Sequence, residues 1–135
     1  MLDTLHIALF NVLYDLRSHV DVSSWKDVNG PEFEYLGEEE RPLSAVGLYK
    51  STPKLLRQGF LCSYAKFRIQ DDYGSFARWH FMKRKELEGF AAKHPRIRKK
   101  YDLFLKYYRS HGLLKGDKQT KHRNTATKPA AQPNR

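Results

Sequence analysis

Cysteine is nearly absent from this sequence, in which Cys62 is the single example. One thiol excludes an intramolecular disulfide and a zinc site built from several cysteines, so Cys62 is expected to be an ordinary buried thiol. Such cysteine usage is typical of a reducing compartment, and the first residues lack a basic leader, so we expect a cytoplasmic protein. No apolar run approaches the roughly 18 residues that a membrane span needs, and no membrane partner is expected.

Sequence motifs of known catalytic chemistry are missing as well. The chain contains no phosphate-binding GxxxxGK[ST] or GxGxxG loop and no serine in a G-x-S-x-G setting. It has 6 histidines, but no two of them show metal-ligand spacing beside a carboxylate. Asp71, Asp72 and His80 could form a metal-dependent nuclease site, yet adjacent aspartates before a glycine are usual turn residues. We therefore predict a protein that is not an enzyme and that needs no cofactor or metal.

Acidic residues are scarce after residue 49. Residues 1–49 contain 3 basic and 9 acidic residues, a net charge of −6, whereas residues 50–135 contain 22 basic and 6 acidic residues, a net charge of +16. A strongly basic segment attracts a polyanion through counterion release and long-range steering. Nucleic acid, either DNA or RNA, is therefore the first expected partner, and an acidic protein is the alternative.

An amphipathic helix is predicted at the start of the chain. Apolar side chains recur at spacings of three and four between residues 2 and 20, which is the period of a helix with one buried face. The next stretch contains a single helical turn around Trp25 that should end at Gly30. A short extended segment at 33–36 and a solvated acidic loop at 38–40 are expected to follow.

A helix-turn-helix-like corner is predicted between residues 42 and 61. One short helical piece should end near Gly47, and Ser51 or Thr52 should cap a second helix that has Pro53 in its first turn. Gly59 is placed to end that helix. In a helix-turn-helix protein the second helix contacts DNA, whereas in many other proteins two such helices form only a structural corner. The residues that would then meet phosphates or base edges are Lys50, Ser51, Thr52, Lys54 and Arg57.

A β-hairpin is predicted over residues 61–84, with its turn at 71–74. Alternate side chains of a strand lie on opposite faces, so the pattern separates a core face from a face of aromatic and basic side chains. The core face would hold Ala65, Phe67, Ile69, Ala77, Trp79 and Phe81. The opposite face would hold Tyr64, Lys66, Arg68, Phe76, Arg78 and His80. A helix that begins at Ser75 is the alternative interpretation of the second half.

Two helices are predicted after the hairpin. The first extends over residues 85–94 and is ended by Pro95, which also starts the second, where proline is tolerated. Gly112 is placed to cap the second helix. The apolar stripe of that second helix consists of Ile97, Tyr101, Phe104, Leu105 and Tyr108. Its basic residues are Arg98, Lys99, Lys106 and Arg109.

Together these patterns predict an α+β domain over residues 1–116, followed by a disordered basic tail over residues 117–135. Its parts would be the N-terminal amphipathic helix, the helix-turn-helix-like corner, the central β-hairpin and the C-terminal helices, in a winged-helix-like outline. We expect a nucleic-acid-binding regulatory or accessory protein; the alternative is an adaptor or inhibitor that docks its basic face on an acidic partner protein. The sequence predicts no oligomeric state. The expected binding residues are Lys50, Lys54, Arg57, Tyr64, Lys66, Arg68, Phe76, Arg78, Lys83, Arg84, Arg98, Lys99, Lys106 and Arg109, with Tyr64 and Phe76 available to stack on bases.

Overall fold

A computed structural model describes residues 21–44 and 46–114. These residues form five α-helices and one 3-10 helix, 62% of them are helical, and none of them lies in a strand. In chain order the elements are α1 (Val22–Asn29), α2 (Pro53–Gln58), the 3-10 helix (Ser63–Lys66), α3 (Ile69–Met82), α4 (Arg84–Lys93) and α5 (Pro95–Ser110). The helix predicted at residues 2–20 and the tail predicted at residues 117–135 lie outside the described residues.

The prediction of a central β-hairpin, and with it of an α+β fold, is wrong. Tyr64 lies in the 3-10 helix, and the stretch 71–74, predicted as the hairpin turn, lies in the first turns of α3. Two aspartates in that stretch suit the N-terminal end of a helix, where the helix dipole favours negative charge. Short apolar runs do not distinguish a strand from a buried helix, and here the helix forms.

The prediction of a helix-turn-helix-like corner is also wrong, because only its second helix is present among the described residues. α2 has the predicted signals: Thr52 Oγ1 accepts a hydrogen bond from the Leu55 amide at 3.3 Å, and Pro53 is the first helical residue. Gly59 follows the helix with a left-handed φ of 92° that favours glycine. The residues before α2, 42–44 and 46–50, form turns and loops and no helix. The winged-helix-like outline therefore fails together with its first helix and its wing.

The two predicted C-terminal helices are present as α4 and α5. His94 separates them, and Pro95 is the first residue of α5. The apolar stripe of α5 faces the core, where Ile97 and Phe104 are completely buried. Cys62 is fully buried as predicted, and burial raises the pKa of its thiol to about 11. No helix among the described residues has both the length and the apolar character needed to cross a membrane.

A buried ion pair joins α3 to α5 and fixes α1 beside them. The side chains of Asp72 and Lys100 are both 0% exposed, and Lys100 Nζ lies 2.7 Å from Asp72 Oδ2. The same oxygen accepts hydrogen bonds from Trp25 Nε1 at 2.9 Å and from Tyr35 Oη at 2.8 Å, while Lys100 Nζ also donates to the Gly59 carbonyl at 2.9 Å. Burial raises the pKa of Asp72 and lowers the pKa of Lys100, and the attraction between the two charges opposes both shifts. The pair therefore links segments that are far apart in the sequence.

The buried tyrosines make the fold sensitive to alkali. Burial raises the pKa of Tyr35 and Tyr73 above the ordinary value, and it raises the pKa of Tyr108 to about 12. A tyrosine in the unfolded chain loses its proton at about pH 10. Between that pH and the higher pKa of the buried tyrosines, the unfolded chain binds fewer protons than the folded protein does. The free energy of unfolding should therefore be unaffected by these groups below about pH 10 and fall as the pH rises beyond it. Urea unfolding followed by circular dichroism on both sides of that pH measures the effect. A free energy of unfolding that stays constant as the pH rises beyond about 10 would contradict it.

Candidate nucleic-acid interface

Four of the predicted binding residues line one groove between α4 and α5, which we call the α4–α5 groove. Arg84 is the first residue of α4, and Arg98, Lys106 and Arg109 lie on α5. The groove has a volume of about 590 Å³, and the remaining lining residues are Glu88, Tyr101, Asp102 and Leu105. On α5 the three cations lie eight and three positions apart, which places them along one side of the helix over about 16 Å. The structure thus brings cations from both helices together at one concave surface.

Two carboxylates in this groove are already bound to its arginines. Arg84 Nε lies 2.9 Å from Glu88 Oε1, and Arg98 forms a bidentate hydrogen bond with Asp102, which raises the pKa of the arginine. In both pairs each side chain is about half exposed, from 48% to 56%. Ion pairs at such exposed positions contribute about 0–1 kcal/mol, so another anion can replace the carboxylates at little cost. The groove can therefore present its guanidinium groups to phosphates.

Two further predicted residues, Lys50 and Lys83, line a second groove, which we call the Trp79 groove. Its volume is about 500 Å³, and its aromatic lining residues are Tyr49, Trp79 and Phe90. Trp79 precedes Lys83 by one helical turn, and Lys83 Nζ lies 5.5 Å from the centroid of the Trp79 ring. The same Nζ lies 3.7 Å from a carboxylate oxygen of Glu86. The polar and aliphatic lining residues are Ser51, Thr52, Pro53, Leu56 and Glu86. This surface combines positive charge with aromatic rings.

Beside the Trp79 groove, two arginines and two tyrosines form a continuous stack. Arg78 Cζ lies 4.4 Å from the ring centroid of Tyr49, and the Tyr49 ring stacks on Tyr64 with the centroids 5.0 Å apart. Arg41 Cζ lies over the Tyr64 ring at 4.8 Å. Each tyrosine ring therefore has a neighbour on both faces, and burial raises the pKa of Tyr49. Tyr64 cannot stack on a base in this arrangement unless Arg41 leaves.

The remaining predicted residues do not join these two grooves. Phe76 is 0% exposed in the core, so the hypothesis that it stacks on bases is wrong. Arg68 binds Asp71 through Nε and Nη2, both at 3.1 Å, and Lys66 lines a separate groove that contains Arg96. Lys54, Arg57 and Lys99 are exposed and line neither groove.

The hypothesis of a metal-dependent nuclease site receives no support from the geometry. Asp71 is held by Arg41 Nη2 at 2.8 Å and by Arg68, and Asp72 by the Lys100 ammonium. His80 hydrogen-bonds the Tyr101 hydroxyl at 2.8 Å and lies eight residues beyond Asp72 on the same helix, about 12 Å along its axis. Within residues 21–44 and 46–114 no group of three or more His, Cys, Asp or Glu side chains could hold a metal ion.

We did not predict from the sequence that Lys83 lies beside Trp79 or that Tyr49 stacks on Tyr64. The hairpin interpretation assigned Trp79 to the core face, and Trp79 is indeed buried, but along a strand Lys83 would lie about 13 Å away from it. Read as a helix, the same residues lie four positions apart, which places an indole ring next to an ammonium group. Tyr49 has no comparable local signal, because it reaches the groove through a turn and through packing on Tyr64.

The described basic segment has few accessible acidic groups to oppose its charge. Residues 50–114 contain 16 basic and 5 acidic residues, a net charge of +11. Asp71 and Asp72 are buried, and the other three acids, Glu86, Glu88 and Asp102, each pair with a cation. The two grooves lie on opposite sides of α4, because their α4 lining residues are two positions, or about 200°, apart.

Comparison with models of protein families, with curated proteins and with solved structures finds no match.

Proposed function

We propose that this protein is a non-enzymatic accessory factor that binds nucleic acid through the α4–α5 groove. The observation that carries the proposal is the convergence of Arg84, Arg98, Lys106 and Arg109 on one concave surface. Lysine and arginine side chains bind the phosphate backbone and release its counterions, which provides affinity independent of base sequence. The net charge of +11 over residues 50–114 adds long-range attraction to a polyanion.

Reversing the charge of two cations in the α4–α5 groove tests this proposal. Lys106→Glu combined with Arg109→Glu should weaken binding to a labelled duplex by at least about tenfold and reduce the salt dependence by roughly the two lost phosphate contacts. The measurement is fluorescence anisotropy over a series of salt concentrations, with a generic duplex and a generic single strand. Circular dichroism verifies that the variant is folded.

A matched control is available on α4. Lys85→Glu combined with Lys93→Glu changes the net charge by the same amount at two exposed positions that do not line the α4–α5 groove. This control should lose much less affinity than the groove variant. Equal losses would show that total charge, and not the groove, governs binding. If the unmodified protein binds neither probe at low salt, the nucleic-acid proposal fails, and the alternative of an acidic protein partner should be tested by binding to acidic polypeptides.

A further inference from the structure

Exposed apolar side chains are grouped at two places on the surface. Six large apolar side chains are exposed within residues 21–44 and 46–114, and five of them belong either to the described part of the loop 36–46 or to the corner 81–85 between α3 and α4. Single exposed apolar residues are common on soluble proteins, whereas grouped ones mark contact surfaces. We call these two surfaces the acidic loop and the basic corner.

The acidic loop combines protruding apolar side chains with carboxylates. Leu43 and Val46 are 110% and 91% exposed, so neither is covered by another part of the molecule, and Leu36 is 51% exposed. Glu39 and Glu40 are exposed beside them in the chain. A surface of this composition repels a polyanion, and it suits a partner that is both apolar and basic.

The base of the acidic loop is fixed to the body of the protein. The Leu36 amide donates a hydrogen bond to the Lys66 carbonyl at 3.0 Å. Five residues later, Arg41 Nη2 lies 2.8 Å from a carboxylate oxygen of Asp71, and the Arg41 guanidinium lies over the Tyr64 ring. Because this part of the loop is already ordered, a partner meets the loop at a low entropic cost.

The basic corner has the opposite charge and the same apolar character. Phe81 and Met82 are 41% and 54% exposed, and three exposed cations follow them directly in the chain, namely Lys83, Arg84 and Lys85. The first two cations form ion pairs with glutamates of α4, but all four side chains are between 43% and 55% exposed, so these pairs are weak and can give way to other carboxylates.

We propose that the acidic loop of one molecule docks on the basic corner of a second copy of this chain. Leu43 and Val46 would cover Phe81 and Met82, and the carboxylates 39–40 would face the cations of the corner. Each surface thereby loses exposed apolar area and meets the opposite charge. The surfaces are small, and interfaces that bury less than about 1,200 Å² are weak, so the association should be reversible and depend on concentration and salt.

Two charge reversals and their mixture test the proposal by sedimentation velocity of the full chain over a series of concentrations. Glu39→Lys combined with Glu40→Lys, and Lys83→Glu combined with Lys85→Glu, should each weaken self-association by at least about tenfold, because like charges then meet at the contact. An equimolar mixture of the two variants should associate again, since every contact between them joins opposite charges. Circular dichroism verifies that both variants are folded.

Matched controls exist for both reversals. Glu32→Lys combined with Glu34→Lys, and Lys54→Glu combined with Lys93→Glu, change the net charge by the same amounts at exposed positions outside the two surfaces. These variants should associate nearly as the unmodified protein does.

The apolar part of the contact is tested separately. Leu43→Ser combined with Val46→Ser leaves every charge in place and should also weaken self-association, because the apolar area that docking removes from water is smaller. Both side chains are exposed, so the urea unfolding curve of this variant should not change.

Each contrary outcome overturns the inference. A sedimentation coefficient of the unmodified protein that does not rise with concentration would show that a second copy is not the partner. Equal losses in the reversals and their controls would assign the association to total charge. A mixture that fails to associate would show that the acidic loop and the basic corner do not meet. The samples contain no nucleic acid, so none of these results bears on the proposed function.

Discussion

Lys100→Met should lower the free energy of unfolding by about 3–5 kcal/mol, because it leaves the Asp72 carboxylate buried without its counter-charge. Methionine retains an unbranched chain of similar length, so the change removes the charge and the hydrogen bonds and little volume. Both charged groups are 0% exposed and 2.7 Å apart, and water therefore cannot replace the ammonium group. Urea unfolding followed by far-ultraviolet circular dichroism measures the loss.

Lys99→Met, at the exposed neighbouring position, is the control, and it should change the stability by no more than about 0.5 kcal/mol. Combining Lys100→Met with Asp72→Asn should recover part of the loss, since no uncompensated charge then remains in the core. Equal effects of the Lys99 and Lys100 variants would mean that the ion pair contributes nothing to holding α3 against α5.

Phe104→Ala should cost about 3–5 kcal/mol of stability, since it opens a cavity at the centre of the aromatic core. Phe104 is 0% exposed, and its ring centroid lies 4.4 Å from that of Tyr108 and 5.5 Å from that of Tyr73. Its ring also lies 5.4 Å from His80, so it contacts α3 as well as its own helix. The same urea unfolding experiment gives the difference in free energy.

Phe104→Leu is the matched variant, because leucine fills more of the space and should cost less than alanine. A loss for alanine no larger than the loss for leucine would indicate that the surrounding rings collapse into the cavity. Since α5 carries three of the four cations of the α4–α5 groove, a folded but loosened Phe104→Ala protein should also bind nucleic acid less tightly.

Helices whose signals are local could be predicted from the sequence. α5 begins at Pro95 and buries its apolar stripe as its spacing predicts, and α2 has its cap at Thr52 and ends before Gly59. Each of these signals involves residues within a few positions of one another. Nothing distant in the sequence is needed to produce them.

α3 could not be predicted in the same way, because distant residues stabilise it. Asp71 and Asp72 next to a glycine are typical of a turn, and they occupy a buried helix here since Arg41, Arg68 and Lys100 bind them. Arg68 lies only three residues before Asp71, but Arg41 and Lys100 lie 30 and 28 residues from their carboxylates, and no local pattern indicates them. The candidate binding surface could likewise be predicted only in part. The basic side of α5 follows from helical spacing. The position of Arg84 beside it, and that of Tyr49 beside Trp79, depend on packing between separate segments.

On the ribosome, Trp25, Tyr35 and Asp72 are synthesised before Lys100. While Lys100 is still missing or inside the exit tunnel, packing α1 and the 33–36 segment over α3 would bury the Asp72 carboxylate without a counter-charge, which is strongly unfavourable. We therefore expect α1 and the 33–36 segment to reach their native packing over α3 only after α5 has emerged. A nascent chain that stalls before residue 100 would lack the counter-charge that the buried Asp72 carboxylate needs.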